Sequence, residues 1–370
     1  MKDCSMKKII LYISLFLFLL ACSTGTQKQI KEINASLDNV DNDYAVFRDF
    51  SLVRLETTDS CLLENIVKVD MQDDIYLLSS YGGKIHKFTK DGHFLWSLKQ
   101  GNGPGELLFA TDFYVDYRNK SLYVLDNYKE LKIFSFDGKY VKSEPLSETA
   151  FLFTKKDNSF LLFDSNLKRK SDFNFYVSKD GVTVKEGLQK KENNRNVGYM
   201  PGNVFADYSD KDIYIQHMLS DTIYSYSLTD NKLKPAFYIY TNNLSVNAQD
   251  ITFPDSHSFY QVCKEKNLLP GIAGLSFLND KIYLIMYYDE HPFYVVYDCK
   301  EEKSVVSTLL CKGFPNSTRC IGRSKNGITY CYDAEELSQY CDQESPINKS
   351  LAKLMESVKM EDNPVLVSFR

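Results

Sequence analysis

An all-β fold built from six copies of a four-stranded unit is what this sequence predicts, on three observations. A strand that opens with an aromatic second residue recurs at Ile75-Tyr76, Leu122-Tyr123, Ser159-Phe160, Ile213-Tyr214, Ile282-Tyr283 and Thr329-Tyr330. Successive openers are mostly about 40 to 50 residues apart, the span of one blade of a β-propeller. Asp91-Gly92, Asp137-Gly138 and Asp180-Gly181 stand in register between strands of the first three copies, where a type I′ turn needs positive φ. Finally, 26 tyrosines and 24 phenylalanines outnumber 17 glycines and 10 prolines, a composition that favours strands. The expected fold is therefore a six-bladed β-propeller of four-stranded antiparallel blades, with short helices in an insertion and near the C-terminus.

The 370 residues, 44% apolar and 25% charged, suffice for one large all-β domain. A net charge of −5 argues against nucleic acid as a partner, which needs a concentrated basic face. Of nine cysteines, Cys4 and Cys22 precede the domain and seven remain: Cys61, Cys263, Cys299, Cys311, Cys320, Cys331 and Cys341. An odd number leaves at least one free thiol in a monomer. None forms the C-x-x-C pair of a zinc site, so they read as small apolar core residues.

At the N-terminus Lys7 and Lys8 precede an apolar run, Ile9 to Leu20, about a dozen residues long and too short to span a bilayer. Leu19-Leu20-Ala21-Cys22 follows and resembles a lipobox; an ordinary signal peptide with a chance cysteine is the alternative. Met6 opens a more usual signal than Met1 does. The expected organisation is a signal peptide over residues 1–21, a flexible tether over 22–43 and the propeller over 44–370. Acylation of Cys22 would anchor the domain to a membrane without a transmembrane helix. Ser23 after the cysteine, by resemblance to bacterial lipoprotein sorting, points to the outer membrane. The lack of an acidic cluster favours the periplasmic leaflet over the cell surface.

In chain order, Phe47 to Leu55 and Glu64 to Asp70 alternate as strands do. The first two copies, Ile75 to Leu98 and Leu122 to Leu146, flank the loop at Gly101, Gly103, Pro104 and Gly105. Such a run fits neither helix nor central strand. Thr229-Asp230-Asn231 and Cys299-Lys300-Glu301 replace Asp-Gly in later copies, so the repeat decays. Thr241 to Ser276 lengthens one gap and holds a helix at about Ser256 to Lys266. Asp333 to Cys341 and Asn348 to Met360 read as helices, and Val365 to Phe369 as a closing strand that shares a blade with the strand near Phe47 to Leu55.

The lipobox at Cys22, Leu55-Glu56-Thr57-Thr58, Gly101-Asn102-Gly103-Pro104-Gly105-Glu106 with Asp112-Phe113 and Asp116, and Asn363-Pro364-Val365-Leu366 span nearly the whole mature chain. In these segments it resembles the six-bladed β-propeller lipoproteins of Gram-negative gut anaerobes, distant relatives of the NHL-repeat propellers. The resemblance implies the fold. It implies little about a ligand, since most members have no known biochemical function.

Candidate site residues fall in two places. Glu106 either points into the central channel, with the Gly101 to Gly105 amides as an anion nest, or bonds the backbone of its own loop. Asp116, Asp126 and Asp207 suit either a channel mouth or turn caps. In the long insertion Phe253, His257, Phe259 and Tyr260 lie beside Asn242, Asn243 and Asp255; they either wall a cleft for a sugar or peptide or pack as core. His86, His217 and His291 each follow a strand opener, but at different offsets. No catalytic motif stands out, and no cofactor or metal is expected. The leading expectation is an outer-membrane-tethered binding or scaffolding module for a glycan, a peptide or an envelope protein. The alternative is a metal-assisted hydrolase or lyase working in the channel.

Overall fold

A computed structural model describes residues 30–80, 83–164, 172–190, 197, 203–209, 211–217, 219–249, 251–317, 320–324, 326–341, 351, 353 and 358–370. The signal-peptide and Cys22 expectations lie outside the described residues. Chain contacts divide the molecule into Met1–Lys31 and a compact unit Glu32–Arg370; the second is a six-bladed β-propeller. Blade 1 comprises Ile66–Met71, Asp74–Ser79, Lys84–Thr89 and Phe94–Ser97, running outward from the axis. Blade 2 is Ala110–Asp116, Ser121–Asp126, Glu130–Ser135 and Tyr140–Pro145, and blade 3 is Leu152–Lys156, Ser159–Phe163, Phe173–Lys179 and Val182–Gln189. Blade 4 is Phe205–Asp207, Asp212–Gln216, Thr222–Ser227 and Lys232–Tyr240, and blade 5 is Ile272–Leu278, Lys281–Tyr288, His291–Asp298 and Lys303–Ser307. Blade 6 takes Cys320–Ser324, Gly327–Tyr332 and Val365–Phe369 from the C-terminus and its outer strand, Phe50–Arg54, from the N-terminus. That shared blade is the closure the sequence predicts.

Each blade buries both faces, so its middle strands are nearly continuous apolar runs. Asp74–Ser79, for example, is buried at every position after the first. Among the described residues, an apolar cluster fills each cleft between neighbouring blades, and a seventh lies in the insertion. In the cleft of blades 1 and 2, Tyr76, Leu78 and Ile85 meet Phe113, Val115 and Phe134. An extra residue bulges from the inner strand of blades 1, 2, 5 and 6, at Val67, Thr111, Ala273 and Ile321. Bulges sharpen local twist, which the fanned arrangement of blades requires.

The described part of the expected tether carries regular structure. Lys31–Asn34 adds a fifth strand outside blade 4, and Ile33 and Ala35 are wholly buried. The chain then crosses blade 5, where Asn34 N donates to Ser304 Oγ (2.9 Å) and Asp41 N to the Val306 carbonyl (2.8 Å). Ala45–Phe47 pairs in parallel with Leu309–Cys311 before Phe50–Arg54 enters blade 6. Residues 31–54 thus form a belt over three blades. Residues 31–43 of it read as a linker because few of them, Ile33, Ala35 and Ser36, are buried.

Other expectations are refined. Type I′ geometry holds only at Asp180-Gly181, with φ of 51° and 75°; at Gly92 and Gly138 the glycine alone is left-handed. Asn231 and Glu302 take the left-handed place in blades 4 and 5. The insertion helix runs Ser256–Glu265, capped by Asp255, whose Oδ1 accepts from Ser258 N at 2.8 Å. The later helix runs Ala334–Cys341; most of 348–360 lies outside the described residues. Cys61, Cys263, Cys311 and Cys331 are buried, as the core reading expects, and Cys299 is half-buried.

The ring closes where blades 6 and 1 meet. There the two inner strands pair directly and in parallel, Gly322 opposite Val69. A Cβ on Gly322 would lie 1.9 Å from the Val69 carbonyl oxygen, whereas one on Gly274 would meet Ile285 at an ordinary 3.5 Å. Gly322→Ala is therefore expected to destabilise the propeller by about 2 kcal/mol or more, and Gly274→Ala by less than about 1 kcal/mol. Urea denaturation of the two variants checks the contrast; equal midpoints would show that the inner seam yields.

Candidate axial site

The inner strands of all six blades enclose a cavity of about 260 Å³ on the propeller axis. Its wall is two-sided. Blades 1 to 4 contribute all its charged residues, Lys68, Asp70, Asp112 and Asp207, set among apolar ones such as Phe113 and Phe153; blades 5 and 6 contribute Leu275, Ser276, Phe277, Leu278 and Ile328, with bare backbone at Gly322 and Gly327. Lys68 and Asp112 occupy the position just after the inner bulge, and Gly274 and Gly322 hold the same position in blades 5 and 6.

The polar arc is stitched from blade to blade. Lys68 Nζ of blade 1 lies 2.6 Å from Asp112 Oδ1 of blade 2, and Asp112 Oδ2 accepts from Phe153 N of blade 3 at 2.7 Å. Asp112 is 1% exposed. Burial pushes its carboxyl above the usual carboxylate range, opposed by the Lys68 ammonium and by the Phe153 and Phe113 amides. Tyr117 of blade 2 donates to Asp70 of blade 1 (2.5 Å), and Lys156 of blade 3 pairs with Asp207 of blade 4 (2.7 Å). Chemically the cavity offers a largely apolar wall whose charged groups all stand on one side, the usual make-up of a small-molecule site.

The candidates named from sequence are not brought together. Glu106 lies outside the cavity wall: its Oε2 accepts from Gly103 N at 2.9 Å, and its carbonyl accepts from Lys132 Nζ at 2.6 Å. The anion that this glycine loop holds is therefore its own carboxylate. Gly101 N donates to the Leu107 carbonyl at 3.0 Å, which closes the loop around Pro104. Gly105, at φ 79°, leaves room for Tyr140, whose Cβ would lie 2.6 Å from any side chain there. Asp126 anchors the loop's exit by accepting from Leu108 and Phe109 amides (3.2 and 2.8 Å) and from Lys132 (2.7 Å).

Asp116 ends the inner strand of blade 2 and pairs with Lys155 of blade 3 at 2.8 Å. Burial would raise its carboxyl, but hydrogen bonds from Lys155 and Asn119 outweigh that and hold it below the usual range. In the insertion, Phe253 and Phe259 are buried together at 5.0 Å between ring centroids, among Val197, Leu219, Val246 and Cys263. They cannot wall an open cleft; only His257 and Tyr260 face solvent. The helix period explains the split, since Phe259 and Cys263 share its inner face. Sequence reading missed Lys68, Asp70 and Thr154. Aligning the copies on their inner strands, rather than on their aromatic openers, would have put Lys68 and Asp112 in one column.

Fold and cavity together define a closed propeller with a cavity on its axis. The chain belongs to the family described as a domain of unknown function, DUF4934, whose model matches residues 29–370. No curated protein matches it by sequence. Among solved structures it is similar to a candidate exported protein of Bacteroides fragilis, at 16% identity and TM-score 0.73, over 92% of this chain and 99% of that one. It is also similar to a DUF4221 family member of Bacteroides vulgatus, at 11% identity and TM-score 0.53, over 88% and 98%. At these identities the likeness concerns the fold alone.

The three histidines that follow strand openers lie in three different blades. His291 opens the third strand of blade 5 and is exposed. His217 follows the second strand of blade 4, with Nε2 2.7 Å from Asn174 Nδ2. His86 is buried inside blade 1 between Ser97 Oγ (2.7 Å from Nδ1) and Ser79 Oγ (3.4 Å from Nε2). Burial, with a smaller push from Lys84, lowers its imidazole from 6.5 to about 4. The unfolded chain thus binds the proton more tightly. The stabilisation is whole above the unfolded value and is lost as pH falls from about 6.5 toward 4. Between pH 7 and pH 5 this group should cost about 1–2 kcal/mol of stability. Melting curves across that range should be flatter for His86→Gln than for the wild type; parallel curves would contradict the assignment.

Proposed function

We propose that this protein is a binding propeller of the bacterial envelope, holding its ligand in the axial cavity and tethered through a lipid on Cys22. The observation that carries the reading is the two-sided cavity to which all six blades contribute. Its charged groups pair with neighbouring blades, as Lys68 does with Asp112 and Lys156 with Asp207, which suits a preorganised wall better than an acid and base poised for proton transfer. The likeness to a candidate exported protein of Bacteroides fragilis supports an envelope location. Outer-membrane attachment, the periplasmic orientation and kinship with NHL-like propellers rest on the lipobox, on Ser23 and on the glycine-rich segment.

Leu152 lines the cavity and is only half-buried, so Leu152→Trp should fill the space with little strain. A thermal-shift screen of mono- and disaccharides, dipeptides and phenylacetate is expected to find a compound that raises the wild-type Tm by about 2 °C or more. The variant should melt near the wild type and show no such shift. A shift that survives Leu152→Trp would place the ligand elsewhere. The anchor is tested separately: Cys22→Ala should move the protein to the soluble fraction and abolish labelling by a clickable fatty acid. Membrane retention of the variant, with no lipid on the wild type, would sink the lipobox reading.

A further inference from the structure

Because strands alternate in direction, the blade-to-blade connections and the turns between second and third strands emerge on the same face. Three of these segments meet beside blade 2: 98–109, the turn 127–129 and 146–151. Backbone hydrogen bonds lock them together. Asn127 N donates to the Phe109 carbonyl (2.9 Å), Ala150 N to the Tyr128 carbonyl (2.9 Å) and Leu146 N to the Lys129 carbonyl (2.7 Å). Each segment brings one aromatic ring. Tyr128 lies 4.8 Å from Phe151 at 60° and 6.3 Å from Phe109 at 34°, measured between centroids.

Two features set this cluster apart from the core aromatics. Its rings are not sealed: Phe109 is 38% exposed, its neighbour Leu108 is 50% exposed, and Tyr128 and Phe151 are half-buried. In addition, Tyr128 sits at φ 64°, a conformation that costs a non-glycine residue about 1–2 kcal/mol. Glycine or asparagine would fit the turn more easily. A bulky ring held in a strained backbone, yet left partly in water, is better explained by what it presents than by what it packs.

We propose that Phe109, Tyr128 and Phe151 form a stacking platform for the pyranose rings of a glycan, a second site on the loop-bearing face. The proposal rests on the binding reading above but not on the axial cavity. A sugar ring offers an apolar C–H face for the aromatic rings and in-plane hydroxyls for the exposed Asn127 and Lys129 at the rim. A peptide adding as a strand would need main-chain partners. Here Asn127 N, the Tyr128 carbonyl, Lys129 N and the Lys129 carbonyl are already committed within the protein. An open platform also suits a ligand that keeps much of its surface hydrated. The large preorganised rings contribute contact area at little cost in side-chain entropy.

The test uses the full mature domain on a printed panel of defined gluco-, xylo-, manno- and galacto-oligosaccharides, followed by calorimetry on the best binder. Tyr128→Gly relieves the positive φ, so it should melt within about 2 °C of the wild type while weakening that oligosaccharide at least about tenfold. Phe151→Ala should weaken it similarly, and the cavity-filling Leu152→Trp should not. Tyr128→Asn, which also tolerates the turn, serves as the second variant if the glycine form folds poorly. The platform is overturned if the wild type retains no oligosaccharide, or if Tyr128→Gly binds as the wild type does. Loss in Leu152→Trp alone would put the glycan in the cavity, sparing the axial reading while refuting the platform. Cavity ligands found with no glycan bound would do the same.

Discussion

Asn363 is the clasp on which the ring depends. Its Oδ1 accepts from Leu63 N at 2.7 Å, its Nδ2 donates to the carbonyls of Glu56 and Cys61 at 2.7 and 2.8 Å, and its own N–H donates to Thr57 Oγ1 at 2.8 Å. One buried side chain, 2% exposed, thus joins the last strand to the segment that enters blade 1. Every polar atom of the amide is satisfied, which is what makes a buried amide stabilising rather than costly. The neighbouring strand pair, Phe50–Arg54 with Val365–Phe369, completes blade 6 from both ends of the domain. In a propeller an opened ring would expose two blade faces at once, because each blade is buried only by its neighbours. Closure is therefore worth far more than the hydrogen bonds that effect it.

Around the axis the same economy is electrostatic. The inner strands carry carboxylates and lysines that would be expensive to bury alone. Each finds its counter-charge or its amide donors on the next blade: Lys68 to Asp112, Asp112 to Phe153 N, Asp116 to Lys155, Lys156 to Asp207. Such pairs add modest net stability but penalise a wrongly docked blade heavily, since any shift strands a buried charge. They also leave the cavity wall rigid. On the opposite side, direct pairing of blades 6 and 1 leaves no space for side chains at Gly322, so that wall carries no charged group.

The glycine-rich loop between blades 1 and 2 shows how a segment that stands out in sequence can be wholly structural in its chemistry while still shaping a surface. Its Gly103 amide is spent on Glu106 and its Gly101 amide on the Leu107 carbonyl, its exit is fixed by Asp126 and Lys132, and the consequence is the placement of Leu108 and Phe109 at the surface. What the loop presents is thus more informative than what it binds.

By itself the sequence determined the blade count, the composition of each blade and the need for closure. Aromatic openers such as Ile75-Tyr76 and Ile282-Tyr283 report strands buried on both faces, and that requirement is local. It also determined the insertion helix, between the breaks at Pro254 and Pro270. Tertiary structure alone decided the rest. Residues 31–43 looked like a linker because their few buried residues, Ile33 and Ala35 among them, gain their burial from blades 4 and 5, some 200 residues or more away. Lys68 and Asp112 could not be read as cavity residues because a single bulged residue sets which way a strand side chain points. Their partners, moreover, lie on neighbouring blades. Glu56 and Asn363 sit at opposite ends of the domain, and only a closed ring makes them neighbours. Local pattern encodes which residues must be buried; the closing of the ring settles what each is buried against.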